Sequence, residues 1–177
     1  MMLTADNEER ETHMATAEAI KEAQKQIVDH LADDWGLLTA GGIDDYNTMT
    51  IAWGETGTMW WEPVVSVYVV PSRHTYGYLQ DNDYFVVSLF PREYKRDLRI
   101  LGTKSGRDGD KVALTKLTPK PIEHGVTFEE ASLTVVCRKL FQQPLSTAEL
   151  PGEVMEKYYR TMGVHDRFMG EIVDVIE

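Results

Sequence analysis

Four separated segments of the chain carry residue types that could hold an anion and a flat ring. Pro71-Ser72-Arg73-His74-Thr75-Tyr76 stands where a β-branched run gives way to helix-forming sequence. Its arginine can grip a phosphate through two parallel N–H donors, and the hydroxyls and free N–H groups of a helix start add neutral ones. The segment from Gly102 to Lys111 places two hydroxyls, three bases and three glycines in ten residues. Such a backbone can approach a phosphate closely, as in an anion nest. Tyr46-Asn47-Thr48-Met49-Thr50-Ile51-Ala52-Trp53-Gly54 reads as a strand whose N–H and C=O groups can meet the polar edge of a heteroaromatic ring, with an apolar wall along its face. Ser88-Leu89-Phe90, at a strand end, offers a hydroxyl and an aromatic edge. Taken alone, each has a plainer reading as a solvated loop or an amphipathic strand.

The charge pattern sharpens the second segment. The 177 residues carry a net charge of -11, yet Arg92 to Lys116 holds eight bases against four acids, a local +4 that leaves -15 for the rest. A basic island in an acidic chain fits a local anion site, the alternative being a solvated helix face followed by a charged loop. The overall acidity argues against nucleic acid, which needs clustered Lys and Arg. No run approaches the roughly 18 apolar residues of a membrane span. Residues Met1 to Arg10 lack the basic and apolar regions of a secretion signal, so 1–14 is expected to be an acidic tail and the protein cytoplasmic.

Familiar alternatives are poorly supported. No Gly-x-Gly-x-x-Gly follows a strand, Gly102-Thr103-Lys104-Ser105-Gly106 lacks the spacing of a nucleotide P-loop, and no His-Glu-x-x-His occurs. Asp108-Gly109-Asp110 reads as a solvated turn rather than a calcium loop. The histidines are scattered, so no metal site is expected. Cys137, the only cysteine, cannot form an intramolecular disulfide and falls on the apolar face of Leu133, Val135 and Phe141, as a core thiol would.

The positioning elements follow from periodicity. Residues 15–34 predict an amphipathic helix through Ala17, Ile20, Ile27, Val28 and Leu31. Strands are expected at 35–40, 46–53, 64–70, 84–90, 132–140 and 167–176, with 64–70 buried on both faces. Short helices are expected at 76–81, 93–101 and 152–159. Strands without strict β-α-β order favour a β-barrel or sandwich, in one domain over 15–177.

Asn-Thr-Met-Thr-Ile-x-Trp-Gly at 47–54, Pro-x-Arg-x-Thr-Tyr at 71–76, Gly-Thr-Lys-Ser-Gly-Arg-Asp at 102–108 and His-x-x-x-x-Gly-Glu-Ile-Val at 165–173 together resemble the flavin reductase family with the FMN-binding split β-barrel, including flavoredoxin-like proteins. The resemblance runs from about Trp35 to Ile176. It implies a mainly β fold with flanking helices, FMN as cofactor, NAD(P)H as electron donor and a homodimer. By position it implies that Asn47, Thr48, Met49 and Thr50 line the ring and ribityl chain, with Ala52 and Trp53 close by. Arg73, Thr75, Lys104 and Ser105 would hold the phosphate, and Ser88 and Phe90 would border the ribityl side. His165 matches a histidine near the flavin or nicotinamide, the alternative being a residue that orients the last strand. Ala52 stands where relatives often have Ser or Gly, leaving only a backbone contact, and His74 is not assigned to the site. The implied activity is transfer from NAD(P)H through FMN to an acceptor, the alternative being a non-enzymatic electron carrier reduced by a protein partner. Met59-Trp60-Trp61 and the N-terminal helix are candidate interface elements, although the two tryptophans could equally pack in the core.

Overall fold

The computed structural model describes residues 15–177; the expected acidic tail lies outside them. Thr16 opens α1 (Ala17–Asp33) by accepting a hydrogen bond from the Ala19 amide at 3.2 Å. Ala23, Ile27 and Leu31, four residues apart, fall on one face and are buried. Val28, which the apolar pattern grouped with them, is 60% exposed because it stands about 100° round the helix from Ile27. Thr16→Ala should lower stability by about 1 kcal/mol, read as a lower urea midpoint at unchanged slope.

Seven strands form one antiparallel sheet in the order β2-β1-β5-β8-β9-β4-β3. They are β1 (Gly36–Gly42), β2 (Asp45–Ile51), β3 (Gly54–Met59), β4 (Glu62–Val69), β5 (Tyr84–Leu89), β8 (Leu133–Pro144) and β9 (Asp166–Ile176). A separate hairpin joins β6 (Pro119–Ile122) to β7 (Gly125–Phe128). The fold is therefore mainly β with flanking helices, as the sequence indicated. The hydrogen-bonded ladder is open, with β2 and β3 as its end strands, but the sheet curls. Ile51 of β2, Leu38 of β1, Phe85 of β5, Cys137 of β8, Phe168 of β9 and Val67 of β4 share one core with α1.

Within each strand the core residues lie two apart, as at Val65 and Val67 or Val135 and Cys137, so the pleat sends them to the same side. Gly170 lets β9 pass close beneath Phe85: a Cβ there would stand 2.7 Å from the ring. Burial also pushes the Cys137 thiol well above its ordinary pKa, so it stays protonated and inert. A second core, built on Leu37, Phe90, Leu98, Leu101 and Phe128, packs α3 (Lys95–Thr103) and β7 against the other face.

Beyond the unexpected β6–β7 hairpin, three elements differ from expectation. The strand expected through Trp53 stops at Ile51, and Ala52-Trp53 forms the corner into β3. The β3–β4 hairpin closes through Trp60 and Trp61 with φ of +52° and +70°. Residues 152–159 form only a brief α-turn over Gly152–Val154 before a π-helical turn over Met155–Tyr159. No helix among the described residues is long and apolar enough to cross a membrane.

Candidate flavin site

The site is built where β2, an end strand with one unpaired edge, meets the start of α2 (His74–Asp81) and the loop after α3. Short polar ties fix the three elements. The Thr50 hydroxyl donates to the Leu98 carbonyl, seating α3 on β2. Asn47 Nδ2 donates to Thr75 Oγ1 at 2.7 Å, tying β2 to α2. Ser105 Oγ accepts from the Arg107 amide at 3.2 Å and caps the turn Gly106–Asp108, and the Arg107 guanidinium donates to the Ser72 carbonyl at 2.9 Å. Gly106 is required by this closeness, because a Cβ there would overlap Asn47 Oδ1 and stand 2.9 Å from His74 Cδ2. Asp110 belongs to a turn, as expected, accepting from the Val112 and Ala113 amides at 2.9 and 3.2 Å.

These ties enclose a cleft of about 360 Å³ walled by β2, the Ser72–Thr75 segment, the loop after α3 and residues 161–163. Arg73, Lys104, Arg107 and Lys111 line it, and no Asp or Glu does. In a chain of net charge -11, this is a concentrated positive field. Among the described residues, neither the Arg73 guanidinium nor the Lys104 ammonium has a hydrogen-bond or ion-pair partner. Unpaired cations that line one acid-free cleft offer donors to an anion.

The cleft continues into a smaller hollow of about 150 Å³, the two sharing Met49, Val70, Arg73 and Met162. Thr50, Ala52, Trp53, Tyr68 and His165 also line it. The Trp53 ring is 39% exposed, stands 5.0 Å from the His165 ring and meets Tyr158 edge-on at 5.6 Å. His165 Nδ1 is buried and has no hydrogen-bond partner among the described residues. Burial first, and the Arg73 charge second, hold the His165 pKa below its ordinary value and so favour the neutral imidazole. Beside it Asp166 accepts from Tyr76 Oη at 2.6 Å and from Gln142 Nε2 at 2.7 Å, bracing α2 against β8 and β9. The cationic cleft and the aromatic hollow thus stand on one braced frame.

Asn47, Met49, Arg73, Thr75, Lys104 and Ser105 line the cleft, while Thr50, Ala52, Trp53 and His165 line the hollow. Thr48 turns inward, its hydroxyl accepting from Thr39 Oγ1 and donating to the Leu38 carbonyl, and it lines neither the cleft nor the hollow. Ser88 and Phe90 require correction. β5 lies inside the sheet, where Ser88 Oγ meets Thr127 Oγ1 at 3.1 Å, and Phe90 packs in the second core 6.0 Å from Phe128. Neither reaches the cleft. His74 does line it, as do Ser72, Arg107, Lys111 and Met162, which the sequence did not assign to the site. Lys111 lay within the basic segment, but nothing in the spacing shows that its side chain folds back into the loop.

The donor set fits a phosphomonoester joined to a flat ring: unpaired cations without acids at one end, an aromatic slot with an unpaired imidazole nitrogen at the other. The fold is of the split-barrel type, mainly β with flanking helices. Residues 28–177 match the family model for the flavin reductase like domain, and the chain belongs to that family. Among solved structures it is similar to flavoredoxin of Desulfovibrio vulgaris (25% identity, TM-score 0.62, covering 80% of this chain and 68% of that one). It is also similar to an FMN-binding protein from Thermus thermophilus with bound 1-cyclohex-2-enone (25% identity, TM-score 0.62, 81% and 69% covered). The Streptomyces globisporus NADH:FAD oxidoreductase in complex with NAD and FAD fragments shares the fold at 17% identity (TM-score 0.59, 81% and 74% covered). No curated protein matches the chain.

Proposed function

We propose that the protein binds FMN in this cleft and acts as an oxidoreductase of the flavin reductase type, passing electrons from NAD(P)H to an acceptor. The observation that carries the reading is a pair of adjoining hollows that share Met49, Val70, Arg73 and Met162, one with an acid-free cluster of four cations and the other with Trp53 and His165. Arg73 and Lys104 would hold the phosphate, with Ser105 and Thr75 adding neutral donors. The unpaired outer edge of β2 would meet the polar edge of the ring, and Met49 and Trp53 would cover it and keep water out. FMN, when bound, supplies the hydride-accepting and electron-carrying chemistry.

His165, neutral and unpaired at Nδ1, would present one hydrogen-bonding position to the ring or the nicotinamide. Cys137, protonated in the core, takes no part. The cytoplasm, where nicotinamide nucleotides are held, is the compartment this reading implies. We further propose a homodimer in which the β3–β4 hairpin is covered: Trp60 is 60% and Trp61 95% exposed, on a turn that bulky residues rarely adopt. Sedimentation mass should equal two chains, and a monomer at micromolar concentration would contradict this part.

Mixing FMN-loaded protein anaerobically with NADH or NADPH tests the activity. Loss of the visible flavin band with at least one nucleotide is the expected result. A flavin bleached by dithionite but by neither nucleotide would overturn it in favour of a carrier reduced by a protein partner.

A further inference from the structure

β8 and β9 stay paired as far as Pro144 and Asp166, and the Leu145 amide donates to the His165 carbonyl at 3.1 Å. Residues 146–164 therefore leave the sheet and return to it at one pinned point, as a closed surface loop does. This loop lies over both hollows. Thr161, Met162 and Gly163 line the cleft, and of the loop's side chains Met162 also lines the smaller hollow. Tyr158 meets Trp53 edge-on at 5.6 Å, and Tyr159 stands 5.7 Å from the His165 ring. Both tyrosines sit in the π-helical turn Met155–Tyr159. A Cβ on Gly163 would stand 2.8 Å from Val70 Cγ1, so the returning chain presses on the residue that follows β4. The hold on this wall is unlike the hold on the others. Among the described residues, no side chain of 146–164 hydrogen-bonds or ion-pairs outside the loop, and none of these residues is buried. β2, α2 and the loop after α3 are tied by polar bonds. The 146–164 wall rests on ring contacts, and it can part from them without stranding a polar group.

We propose that residues 146–164 are a cover hinged at its pinned ends, which must lift from Trp53 before a second flat ring can stack on the flavin, and that Met162 sets the size of reactant admitted. The inference rests on the FMN reading above. Space requires the movement. The hollow beside Trp53 measures about 150 Å³, below the roughly 300 Å³ at which small-molecule pockets begin, so one ring leaves no room for another. The remaining walls are fixed. β2 is paired along its length with β1, β4 with β9, and Asp166 holds the start of β9 through Tyr76 and Gln142. Only the cover can yield. Met162 suits its place, because an unbranched thioether refits around neighbours of different shape. The reactants that need the cover open are flat conjugated rings that exchange electrons by stacking. A small ion that exchanges electrons at an exposed edge does not need it.

Two readouts share one quantity, the fraction of time the cover is open. The first needs no flavin. Val70 is 6% exposed beneath the returning chain, so in a Val70→Cys protein the rate of labelling by a thiol reagent follows opening. Cys137, buried and protonated, stays silent. The second readout takes FMN-loaded protein reduced by dithionite and mixes it with menadione, a flat quinone, or with ferricyanide, which accepts electrons without stacking. No nucleotide enters, so the result stands whether or not NAD(P)H reduces the protein. Tyr158→Leu removes the ring pair with Trp53 and alters the lining of neither hollow. It should raise the labelling rate by about twofold to tenfold, the worth of one aromatic pair, and the menadione-to-ferricyanide rate ratio by the same factor. Tyr158→Phe, which keeps the ring, should restore both. Met162→Ala should raise the ratio and Met162→Phe lower it. An unchanged ratio or an unchanged labelling rate in Tyr158→Leu would overturn the inference. A protein that binds no FMN would instead remove the flavin reading, and the labelling rate would still decide whether the cover moves.

Discussion

Replacing Arg73 and Lys104 together by alanine should weaken FMN binding by roughly a hundredfold to ten-thousandfold while leaving riboflavin binding nearly unchanged. Each hydrogen bond from a charged donor to an anion contributes about 1.5–3 kcal/mol, and about 1.4 kcal/mol is tenfold in affinity. If both cations hold one phosphate, the double loss falls short of the sum of the single losses. Both residues are exposed, and neither side chain is hydrogen-bonded or ion-paired within the described residues, so the fold loses no contact when they are shortened. Removing Arg73 also relieves repulsion on the Lys111 ammonium, whose pKa it lowers. The thermal midpoint should therefore hold or rise slightly. Flavin titration beside a melting curve checks both halves, and FMN affinity within twofold of the unaltered protein would refute the phosphate assignment.

Gly106→Ala is the second large effect, and it acts through shape. The loop comes so close to β2 and α2 that an added methyl would overlap Asn47 Oδ1 and press on His74. Asn47 is held by its bond to Thr75 and is 6% exposed, so it has little room to yield. The loop must then move outward, taking Lys104 and Ser105 from the cleft. FMN affinity should drop about tenfold or more, with a stability loss of about 1–3 kcal/mol from overpacking. Gly77→Ala is the control. A Cβ there meets nothing within 4 Å, and Gly77 lies inside α2, so that change should stabilise by about 0.5–1 kcal/mol and leave FMN binding alone.

Much of the fold was legible because its strands carry strong patterns. The valine run ending at Val70 reads as a strand buried on both faces, and Val64, Val65 and Val67 are buried there. The β3–β4 hairpin was hidden for a physical reason. A two-residue turn with both φ positive normally announces itself as Asn-Gly or Gly-Gly, and here Trp60-Trp61 fills it. The β6–β7 hairpin was masked by Pro119 and Pro121, which suit an isolated edge but argue against a strand in the chain order.

Site residues were readable where chemistry and position coincide, as at Arg73, Lys104 and Trp53. Ser88 and Phe90 failed that coincidence: a hydroxyl and a ring at a strand end look available until the strand is placed between β1 and β8. Lys111 failed in the opposite sense, since a lysine in a charged loop reads as solvated until its ammonium is seen on the Leu101 carbonyl.

The central claim is that the acid-free cleft holds FMN by its phosphate and the adjoining hollow holds its ring. A crystal structure of the protein with FMN tests it most directly. The phosphate is predicted between Arg73 and Lys104, with the ring beside Trp53 and along the outer edge of β2. A phosphate found elsewhere on the chain, or a ring bound with the Arg73–Lys104 cleft empty, would contradict the account.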